Sequence, residues 1–254
     1  MSEHMPEEQQ QTAPVAVDGL KKSFGKQKVL DGIGFHIDAA ETLAVLGRSG
    51  TGKSVLLKLL IGLQKPDSGS IVIHGKEITR LEMEQLNEIR KKVGFLFQQG
   101  ALYDSLTIEE NVAFPLKRHT KLGGGELRDR VRELLSHVGM ERDGAKLPSE
   151  ISGGMQKRVG LARALALDPS LMLYDEPTAG LDPITAAEIV DLILRLKAER
   201  KVASVVVTHD IQAAKRFSDR LMVIHEGHIL TEGTFEDLQK SDDAFVSRFM
   251  KEAA

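Results

Sequence analysis

One eight-residue stretch organises this chain: Gly47-Arg48-Ser49-Gly50-Thr51-Gly52-Lys53-Ser54. It matches the phosphate-binding loop pattern, in which a glycine is followed after four residues by Gly-Lys-Ser/Thr. The apolar run over 42–46 predicts a buried strand before the loop, and apolar residues at helical spacing over 55–63 predict a helix after it. The glycines let backbone N–H groups surround phosphate oxygens, Lys53 would reach the β- and γ-phosphates, and Ser54 would bind Mg²⁺. The sequence therefore predicts a nucleoside triphosphate site here.

Length and composition restrict the class of protein. The 254 residues suffice for one large domain, or for one domain with a sizeable insertion. The absence of cysteine excludes disulfides and thiolate metal sites, and a net charge of −3 gives no reason to expect nucleic acid as the main partner. No apolar run approaches the roughly 18 residues of a membrane-spanning helix. The acidic, Gln-rich residues 1–14 predict a disordered tail rather than a signal peptide, and hence a cytoplasmic protein.

Strand and helix patterns alternate along most of the chain, which predicts an α/β fold with a mostly parallel central sheet. We place this domain over residues 15–235, with an all-helical insertion at about 101–168 and a C-terminal helical tail over 236–254. Two local features are also expected. The basic segment 21–28 should form a turn, and a helix capped at Thr107 should stop near Pro115.

Two adjacent carboxylates, Asp175 and Glu176, follow the apolar run Leu171–Tyr174, which predicts a buried strand. A phosphate-loop ATPase needs an acid at a strand end to hold Mg²⁺, and a group that positions or deprotonates the attacking water. We assign Asp175 to Mg²⁺ and Glu176 to the general base. The alternative is an ordinary solvated strand end, which the phosphate loop elsewhere in the chain disfavours.

His209 and Gln98 also follow apolar strand patterns. At such a strand end His209 could hydrogen-bond the γ-phosphate, and Gln98 could contact Mg²⁺ and the attacking water. The alternatives are structural, because a lone histidine is usually structural and a glutamine at a strand end is ordinary. The neighbouring Gln99 could take the place of Gln98.

The stretch Ser152-Gly153-Gly154 opens a predicted helix and offers N–H groups, a hydroxyl and the positive end of the helix. One chain does not need two phosphate-binding turns for one nucleotide. Two copies could need them, if each lends this turn to the ATP of the other. The alternative is a helix cap with close packing.

These motifs occur together in an order that resembles the ATP-binding subunit of ABC transporters. The resemblance covers about residues 15–235 and rests on Gly47–Ser54, Gln98, Ile151-Ser152-Gly153-Gly154-Met155-Gln156, Leu171–Glu176, Ala179-Gly180-Leu181-Asp182 and His209. It implies an ABC ATPase with N-terminal antiparallel strands. It also implies a head-to-tail homodimer with two ATP molecules at the interface.

The same resemblance implies residue roles. Phe24 would stack on adenine, Asp182 would communicate across the dimer, and His209 would contact the γ-phosphate. Residues Ser152–Met155 of one copy would contact the ATP of the other. The groove near Gln98–Leu106 would receive a coupling helix from an integral-membrane permease.

The chain departs from the usual family motifs at three positions. Ile151 and Met155 stand where Leu and Gln are usual, and Phe24 replaces the commoner Tyr. The Ser-Gly-Gly that would touch phosphate is intact and a phenyl ring can still stack, so activity is expected.

A narrower resemblance is to the ATPases of Mla-type lipid transporters. It rests on Phe97–Tyr103, Asn111–Leu116 with His119-Thr120, Ile151–Gln156 and Gly180–Thr185, which lie largely in the expected helical insertion. Such ATPases power the movement of phospholipid or related apolar molecules between bacterial membranes, from the cytoplasmic face of the inner membrane. They pair with a permease, an MCE-domain lipid-binding protein and often a small STAS-domain protein.

Two other functions stay open from the sequence. A soluble ABC ATPase of an assembly machine, for example for iron–sulfur clusters, would share the ATP site and the chain length. An importer ATPase for a polar solute often carries a long regulatory domain, whereas about 20 residues follow Thr234 here. The apolar positions of that tail could dock on a neighbour or pack on the chain's own surface: Leu238, Phe245, Val246, Phe249 and Met250.

Overall fold

The computed structural model describes residues 13–251 and divides into two compact units. The first unit contains the residues up to Arg90 and those from Lys201 onward, and the second contains Lys91–Arg200. Both units contain strands and helices, so each is described by itself.

The tail expected over 1–14 lies outside the described residues, except for its last two positions. There Ala13 is buried, and the carbonyl of Pro14 accepts a hydrogen bond from the backbone N–H of His74 (3.0 Å).

The helices and strands are numbered in chain order. The strands are β1 (Val15–Phe24), β2 (Gln27–Ile37), β3 (Thr42–Leu46), β4 (Ser68–Ile73), β5 (Lys76–Glu77), β6 (Val93–Leu96), β7 (Leu171–Asp175), β8 (Ala203–Thr208), β9 (Arg220–His225) and β10 (His228–Gly233). The helices are α1 (Lys53–Leu60), α2 (Met83–Arg90), α3 (Ile108–His119), α4 (Gly124–His137), α5 (Gly153–Ala164), α6 (Pro183–Arg200), α7 (Ile211–Phe217), α8 (Phe235–Gln239) and α9 (Ala244–Lys251), and a 3₁₀ turn covers Pro148–Glu150.

The strands of the first unit pair in two ways. β1 pairs antiparallel with β2 and β4, and β4 pairs with the short β5. β3 lies between β8 and β9 and is parallel to both, while β10 is antiparallel to β9. β3 and β8 are buried at every position, as expected of central parallel strands that are covered on both faces. The parallel strands therefore form the core from which the phosphate loop leaves.

The second unit pairs β6 with β7 in parallel, so that Leu96 lies opposite Tyr174. Helix α4 packs on α3 and α5, α3 also packs on α5, and α6 packs on α5. Of the described residues between β6 and β7, none lies in a strand. The expected α/β class, with mostly parallel central strands and antiparallel strands at the N-terminus, is confirmed.

The turn expected over 21–28 is wrong at its start. Strand β1 continues to Phe24 and only Gly25 and Lys26 form the turn. Asp67 explains the longer strand, because its carboxylate accepts hydrogen bonds from the Lys22 ammonium (3.0 Å) and from the backbone N–H of Ser23 (2.6 Å). Basic residues at the exposed end of a strand therefore resemble a turn in the sequence.

The helix stop expected near Pro115 is also wrong, although the capping box at Thr107 is confirmed. Helix α3 runs through Pro115 to His119. A proline in a helix interior costs one backbone hydrogen bond. The helix continues because Val112 and Leu116, on either side of the proline, are buried and keep it packed.

Among the described residues, no helix combines the length and the apolar character needed to cross a membrane.

Candidate functional site

The phosphate loop leaves the buried end of β3 and requires glycine at several positions. A Cβ atom on Gly47 would lie 2.6 Å from the carbonyl oxygen of Ile224 and 2.8 Å from the Thr51 hydroxyl. Gly50 has φ 81° and Gly52 has φ 95°, which is left-handed backbone that other residues rarely adopt. The glycines of the motif are therefore needed by the loop's own geometry as well as by a ligand.

Helix α1 begins at Lys53, directly after Gly52, which has no side chain to cap the helix. Backbone N–H groups of a first helical turn have no partner within the helix and favour an anion. The buried Lys53 ammonium donates hydrogen bonds to the carbonyls of Gly47 (2.8 Å) and Arg48 (3.0 Å). The lysine thus closes the loop and places a positive charge beside it.

Two further expected residues belong to the first unit. Leu46 lies opposite Thr208 in the parallel pair β3–β8, so the phosphate loop and His209 leave the same edge of the strands. Phe24 ends β1 with its ring 47% exposed, and the ammonium of Lys22 lies 5.4 Å from the ring centre. An exposed ring of this kind is available for stacking.

In the second unit the register of β6 and β7 brings Gln98 and the acidic pair to one strand edge, because each follows the carboxyl end of its strand. Asp175 is buried, and Glu176 is half-buried. Glu176 has φ 49°, a left-handed conformation that is unusual for a residue other than glycine. Backbone of this kind persists where surrounding contacts enforce it, and it is common at functional sites.

The Ser152 turn opens helix α5. The Ser152 hydroxyl accepts a hydrogen bond from the backbone N–H of Met155 (3.3 Å), so it is a genuine N-cap. Ser152 and Gly153 are exposed, whereas Gly154 is buried. A Cβ atom on Gly154 would lie 2.4 Å from the Thr185 methyl group. Close packing therefore explains the glycine at position 154. It does not explain the glycine at position 153, which is exposed.

Asp182 caps helix α6 beside this turn. Its carboxylate accepts hydrogen bonds from the Thr185 hydroxyl (2.6 Å), from the Thr185 N–H (3.0 Å) and from the Ile184 N–H (3.0 Å). The bonds from Thr185 are the main reason that the pKa of Asp182 lies below its usual value. Because Thr185 also contacts Gly154, the second unit holds Asp182 next to the start of helix α5.

A cleft of about 420 Å³ within the second unit brings several expected residues together. Gln98 and Gln99 line it together with Gly153, Lys157 and the segment 179–181. Both glutamines are exposed and both line the cleft, so the choice between Gln98 and Gln99 stays a prediction.

Sequence reasoning missed two cationic side chains on helix α5. The Lys157 ammonium donates to three carbonyls that begin with that of Glu176, the second residue of the acidic pair. Arg163 donates to the carbonyls of Gly100 (2.9 Å) and Ala101 (2.8 Å), which follow Gln98. Helical spacing offered a signal for Lys157, since it lies four residues before the buried Leu161 and three after the buried Gly154.

The C-terminal tail packs on the chain's own surface. Phe245 of α9 stacks on His225 with ring centres 3.9 Å apart, and the guanidinium of Arg48 lies 5.5 Å from the centre of the same ring. Val246 and Met250 are buried. The exposed part of the phosphate loop is thereby in contact with the last described helix.

The donor set expected for Mg²⁺ consists of oxygens: the hydroxyl of Ser54, the carboxylate of Asp175 and the amide oxygen of Gln98. Mg²⁺ prefers oxygen ligands and is usually held by one or two carboxylates together with substrate phosphates. Within the described residues no group of three or more His, Cys, Asp or Glu side chains could hold a metal ion. Each of these groups is of a type that Mg²⁺ accepts as a ligand, and their joint binding of one ion stays a prediction.

The sequence model of the family described as "ABC transporter" matches residues 30–179, more than half of the chain. The chain belongs to this family. The predicted resemblance to ABC transporters is confirmed, and the matched residues contain the phosphate loop, the Ser152 turn and the acidic pair.

Relatives cover most of the chain. "Probable ribonucleotide transport ATP-binding protein mkl" of Mycobacterium tuberculosis is 45% identical over 236 residues, which are 93% of this chain and 66% of that protein. "Intermembrane phospholipid transport system ATP-binding protein MlaF" of Haemophilus influenzae is 39% identical and covers 93% of this chain and 90% of the relative. "Methionine import ATP-binding protein MetN" of Leifsonia xyli is 38% identical, with 94% and 71% covered.

Solved structures give the same family. The dimeric ATP-binding cassette MJ0796, in a post-hydrolysis state bound to ADP and Pi, has a TM-score of 0.80 and 35% identity, over 87% of this chain and 98% of that chain. The expected fold, an ABC ATPase cassette, is thereby confirmed. This chain spans 66% of the length of the mycobacterial relative, about two thirds.

Proposed function

We propose that this chain is the ATP-hydrolysing subunit of a bacterial inner-membrane ABC complex that moves phospholipid or related lipids. The observation that carries the lipid assignment is its similarity to MlaF, which covers 93% of this chain and 90% of the relative. The phosphate loop, whose buried lysine is bound to Gly47 and Arg48, supports ATP as the energy source.

In the proposed site the loop Gly47–Ser54 binds the phosphates of ATP. Lys53 exchanges its bonds to loop carbonyls for bonds to the β- and γ-phosphates, since an ammonium is attracted more strongly by an anionic phosphate oxygen than by a neutral carbonyl. Phe24 stacks on adenine through its exposed ring. ATP is thus held at its base and at its phosphates.

Mg²⁺ would be held by Ser54, Asp175 and Gln98, together with phosphate oxygens of the nucleotide. When bound, the ion neutralises part of the phosphate charge. Asp175 suits this role because its carboxylate is buried at the end of β7, where it is fixed by the strand.

Hydrolysis uses residues from both phosphate-binding turns. Glu176 takes a proton from the attacking water, and His209 donates a hydrogen bond to the γ-phosphate. Lys53 and the hydroxyl and N–H groups of the Ser152 turn stabilise the negative charge that develops on the phosphoryl oxygens.

We further propose that two copies of the chain associate head to tail. Each ATP then contacts the phosphate loop of one copy and Ser152–Met155 of the other, and Asp182 communicates between the copies. The exposure of Ser152 and Gly153 supports this arrangement, because an exposed turn with a helix N-terminus suits a ligand brought by another molecule. The dimeric state of the related cassette points the same way.

The proposed complex contains an integral-membrane permease and an MCE-domain lipid-binding protein, with a STAS-domain protein as a further partner. The chain would act on the cytoplasmic face of the inner membrane, without nucleic acid. The permease surface we propose is the segment near Gln98–Leu106. There the exposed rings of Tyr103 and Phe114 lie with centres 4.9 Å apart.

Import of a polar solute is the second candidate function, and the methionine import relative favours it. A soluble assembly ATPase, such as one for iron–sulfur clusters, is a third candidate and would share all the ATP-site residues. These candidates differ from the first in their partners and not in their ATP chemistry.

Co-purification separates these candidates. The tagged chain would be expressed in its native host, solubilised from membranes in mild detergent, and analysed for associated proteins and lipids. We expect a permease and an MCE-domain protein with bound phospholipid. A permease with a solute-binding protein and no lipid would favour polar-solute import, and recovery only with soluble assembly proteins would favour the third candidate.

A matched pair of variants tests the proposed permease surface in the same experiment. Tyr103→Glu places a charge on the exposed aromatic pair and should reduce recovery of the permease, with ATP affinity unchanged. Met83→Glu, at an exposed methionine of helix α2, is the control and should leave recovery unchanged. Equal recovery with both variants would contradict the placement of the surface.

A further inference from the structure

Lys157 lies in the interior of helix α5, five residues after Ser152, and its side chain is buried. Its ammonium donates hydrogen bonds to the carbonyl oxygens of Glu176 (3.1 Å), Pro177 (2.8 Å) and Ala179 (2.8 Å). An ammonium group has three N–H donors, so these bonds use its full capacity. All three acceptors belong to the backbone segment that begins at the proposed general base.

A buried cation at this place is costly for folding. Desolvation lowers the pKa of Lys157 to about 8, and the charge of Glu176 opposes that shift. A methionine of similar length would fill the space without the cost of burying a charge. Methionine would, however, leave the three carbonyls without the donor that they share. The burial of this charge therefore goes together with a fixed position of the backbone that Lys157 contacts.

The contacted backbone begins with a strained residue. Glu176 has φ 49°, a left-handed conformation that is strained for a residue other than glycine. The local bond from the Ala179 N–H to the Glu176 carbonyl (3.2 Å) is long, whereas Lys157 adds a charged donor to that same carbonyl. The backbone conformation sets the direction of the Cα–Cβ bond of Glu176, so a contact that holds its carbonyl also restricts where its carboxylate can lie.

We propose that Lys157 is a positioning residue for hydrolysis: it holds the segment 176–179 so that the Glu176 carboxylate is aimed at the attacking water. The proposal rests on the general-base role given to Glu176 above. It assigns Lys157 no contact with ATP. Loss of the ammonium therefore affects the chemical step and leaves nucleotide binding by the phosphate loop unchanged.

The test replaces Lys157 by Met in the full-length chain, with its membrane partners where turnover requires them. Because misplacement of a reacting group by about 1 Å can cost up to about 100-fold in rate, kcat should fall by about 10- to 100-fold. The KM for ATP and the affinity for a fluorescent ATP analogue should stay within about twofold. Lys157→Gln keeps two donors on a shorter side chain and should recover part of kcat.

Arg158→Met is the matched control. Arg158 is the next residue of the same helix, and its guanidinium binds Glu188 (2.8 Å) and the carbonyl of Val138 (3.1 Å). Its loss removes one positive charge from helix α5 and leaves the bonds to segment 176–179 in place. We expect kcat close to that of the unchanged chain.

Hydrogen exchange is a second measurement. By comparing peptides from different parts of the chain, it separates a local change from a change in overall stability. A peptide covering 174–182 should exchange faster in Lys157→Met than in Arg158→Met, while peptides of helix α1 exchange equally in both. Unchanged kcat and exchange in Lys157→Met would overturn the proposal. The proposal would also be overturned if the activity of Lys157→Met, expressed per folded molecule, equalled that of the unchanged chain.

Glu176→Gln separates failure of this proposal from failure of the general-base assignment on which it rests. If Glu176→Gln stops turnover while Lys157→Met retains normal kcat, the positioning role is wrong and the base assignment stands. If Glu176→Gln turns over normally, the base lies elsewhere and the positioning role fails with it.

Discussion

The two turns that we propose to bind phosphate are built differently. In the turn Gly47–Ser54, three glycines are needed for the loop to close, and the buried Lys53 supplies the charge. The Ser152 turn is a regular, exposed helix start in which close packing requires only Gly154. The buried lysine of its helix, Lys157, binds backbone carbonyls of the segment 176–179, which begins within the acidic pair.

The difference indicates which turn can bind a nucleotide alone. The first turn has enclosing backbone, a positive helix end and a cation, so it can hold a triphosphate without help. The second turn has N–H groups and a hydroxyl, but Lys157 of its helix is bound to backbone carbonyls and supplies no charge to the turn. The second turn therefore suits a phosphate that is already held by another molecule. The first turn should govern affinity, and the second should govern turnover.

The largest expected effect is that of Lys53→Ala. Hydrogen bonds to charged groups contribute about 1.5–3 kcal/mol, so the loss of Lys53 should weaken ATP binding by about 10- to 100-fold or more. Titration calorimetry with Mg²⁺–ATP measures this directly. Lys58→Ala, in the last turn of the same helix, is the control and should bind as the unchanged chain does. If Lys53→Ala bound Mg²⁺–ATP as tightly as the unchanged chain, the first turn would not be the part of the chain that determines ATP affinity.

Ser152→Ala should lower turnover by about 10-fold or more, since single donors to a developing anion are worth that much or more. The affinity of the isolated monomer for ATP should not change. Removal of the N-cap also costs about 1 kcal/mol of stability, so activity is compared per folded molecule. Ser136→Ala, at an exposed serine of helix α4, is the control. A fall in monomer affinity would place the second turn on the chain's own nucleotide.

The neighbouring glycines of the second turn should respond differently to the same change. A Cβ atom on Gly154 would collide with the Thr185 methyl group at 2.4 Å, whereas a Cβ on Gly153 meets no atom within 4 Å. Gly154→Ala should destabilise the chain by about 1–3 kcal/mol. Gly153→Ala should leave stability unchanged or raise it slightly, because alanine favours the helix. Chemical unfolding measures both, and equal losses would contradict the packing described for this turn.

A further expected effect concerns the pH dependence of stability. Burial lowers the pKa of Lys157 to about 8 from 10.5, so between these values the unfolded chain binds more protons than the folded chain. The free energy of unfolding should therefore rise with pH across this window. Lys157→Met lacks the titrating group. As the pH rises through this window, the free energy of unfolding of the unchanged chain should therefore rise relative to that of Lys157→Met. Urea unfolding at several pH values checks this, and a pH-independent difference would contradict the burial of the charge.

Sequence patterns predicted the strand ends well, because buried parallel strands are short apolar runs and functional residues follow them. This is why the phosphate loop, Asp175 and His209 could be placed at strand ends from the apolar runs that precede them. The Thr107 capping box was predictable for a similar reason, since caps are local.

Contacts that depend on tertiary packing were not predictable in the same way. Pro115 indicated a helix end, but burial of its neighbours overrides the local cost of the proline. The three carbonyls bound by Lys157 lie 19 to 22 residues away in sequence, and no local pattern announces them. The stacking of Phe245 on His225 likewise joins distant segments.

The central claim is that the second turn acts on the ATP of another copy. The most direct measurement is size-exclusion chromatography with light scattering on Glu176→Gln, with and without Mg²⁺–ATP, beside the double variant Glu176→Gln/Ser152→Glu. We expect an ATP-dependent dimer of the single variant. The double variant should stay monomeric at the same ATP affinity, because its new carboxylate repels phosphate. An ATP-dependent dimer that forms regardless of Ser152, or a loss of monomer affinity in the double variant, would contradict the claim.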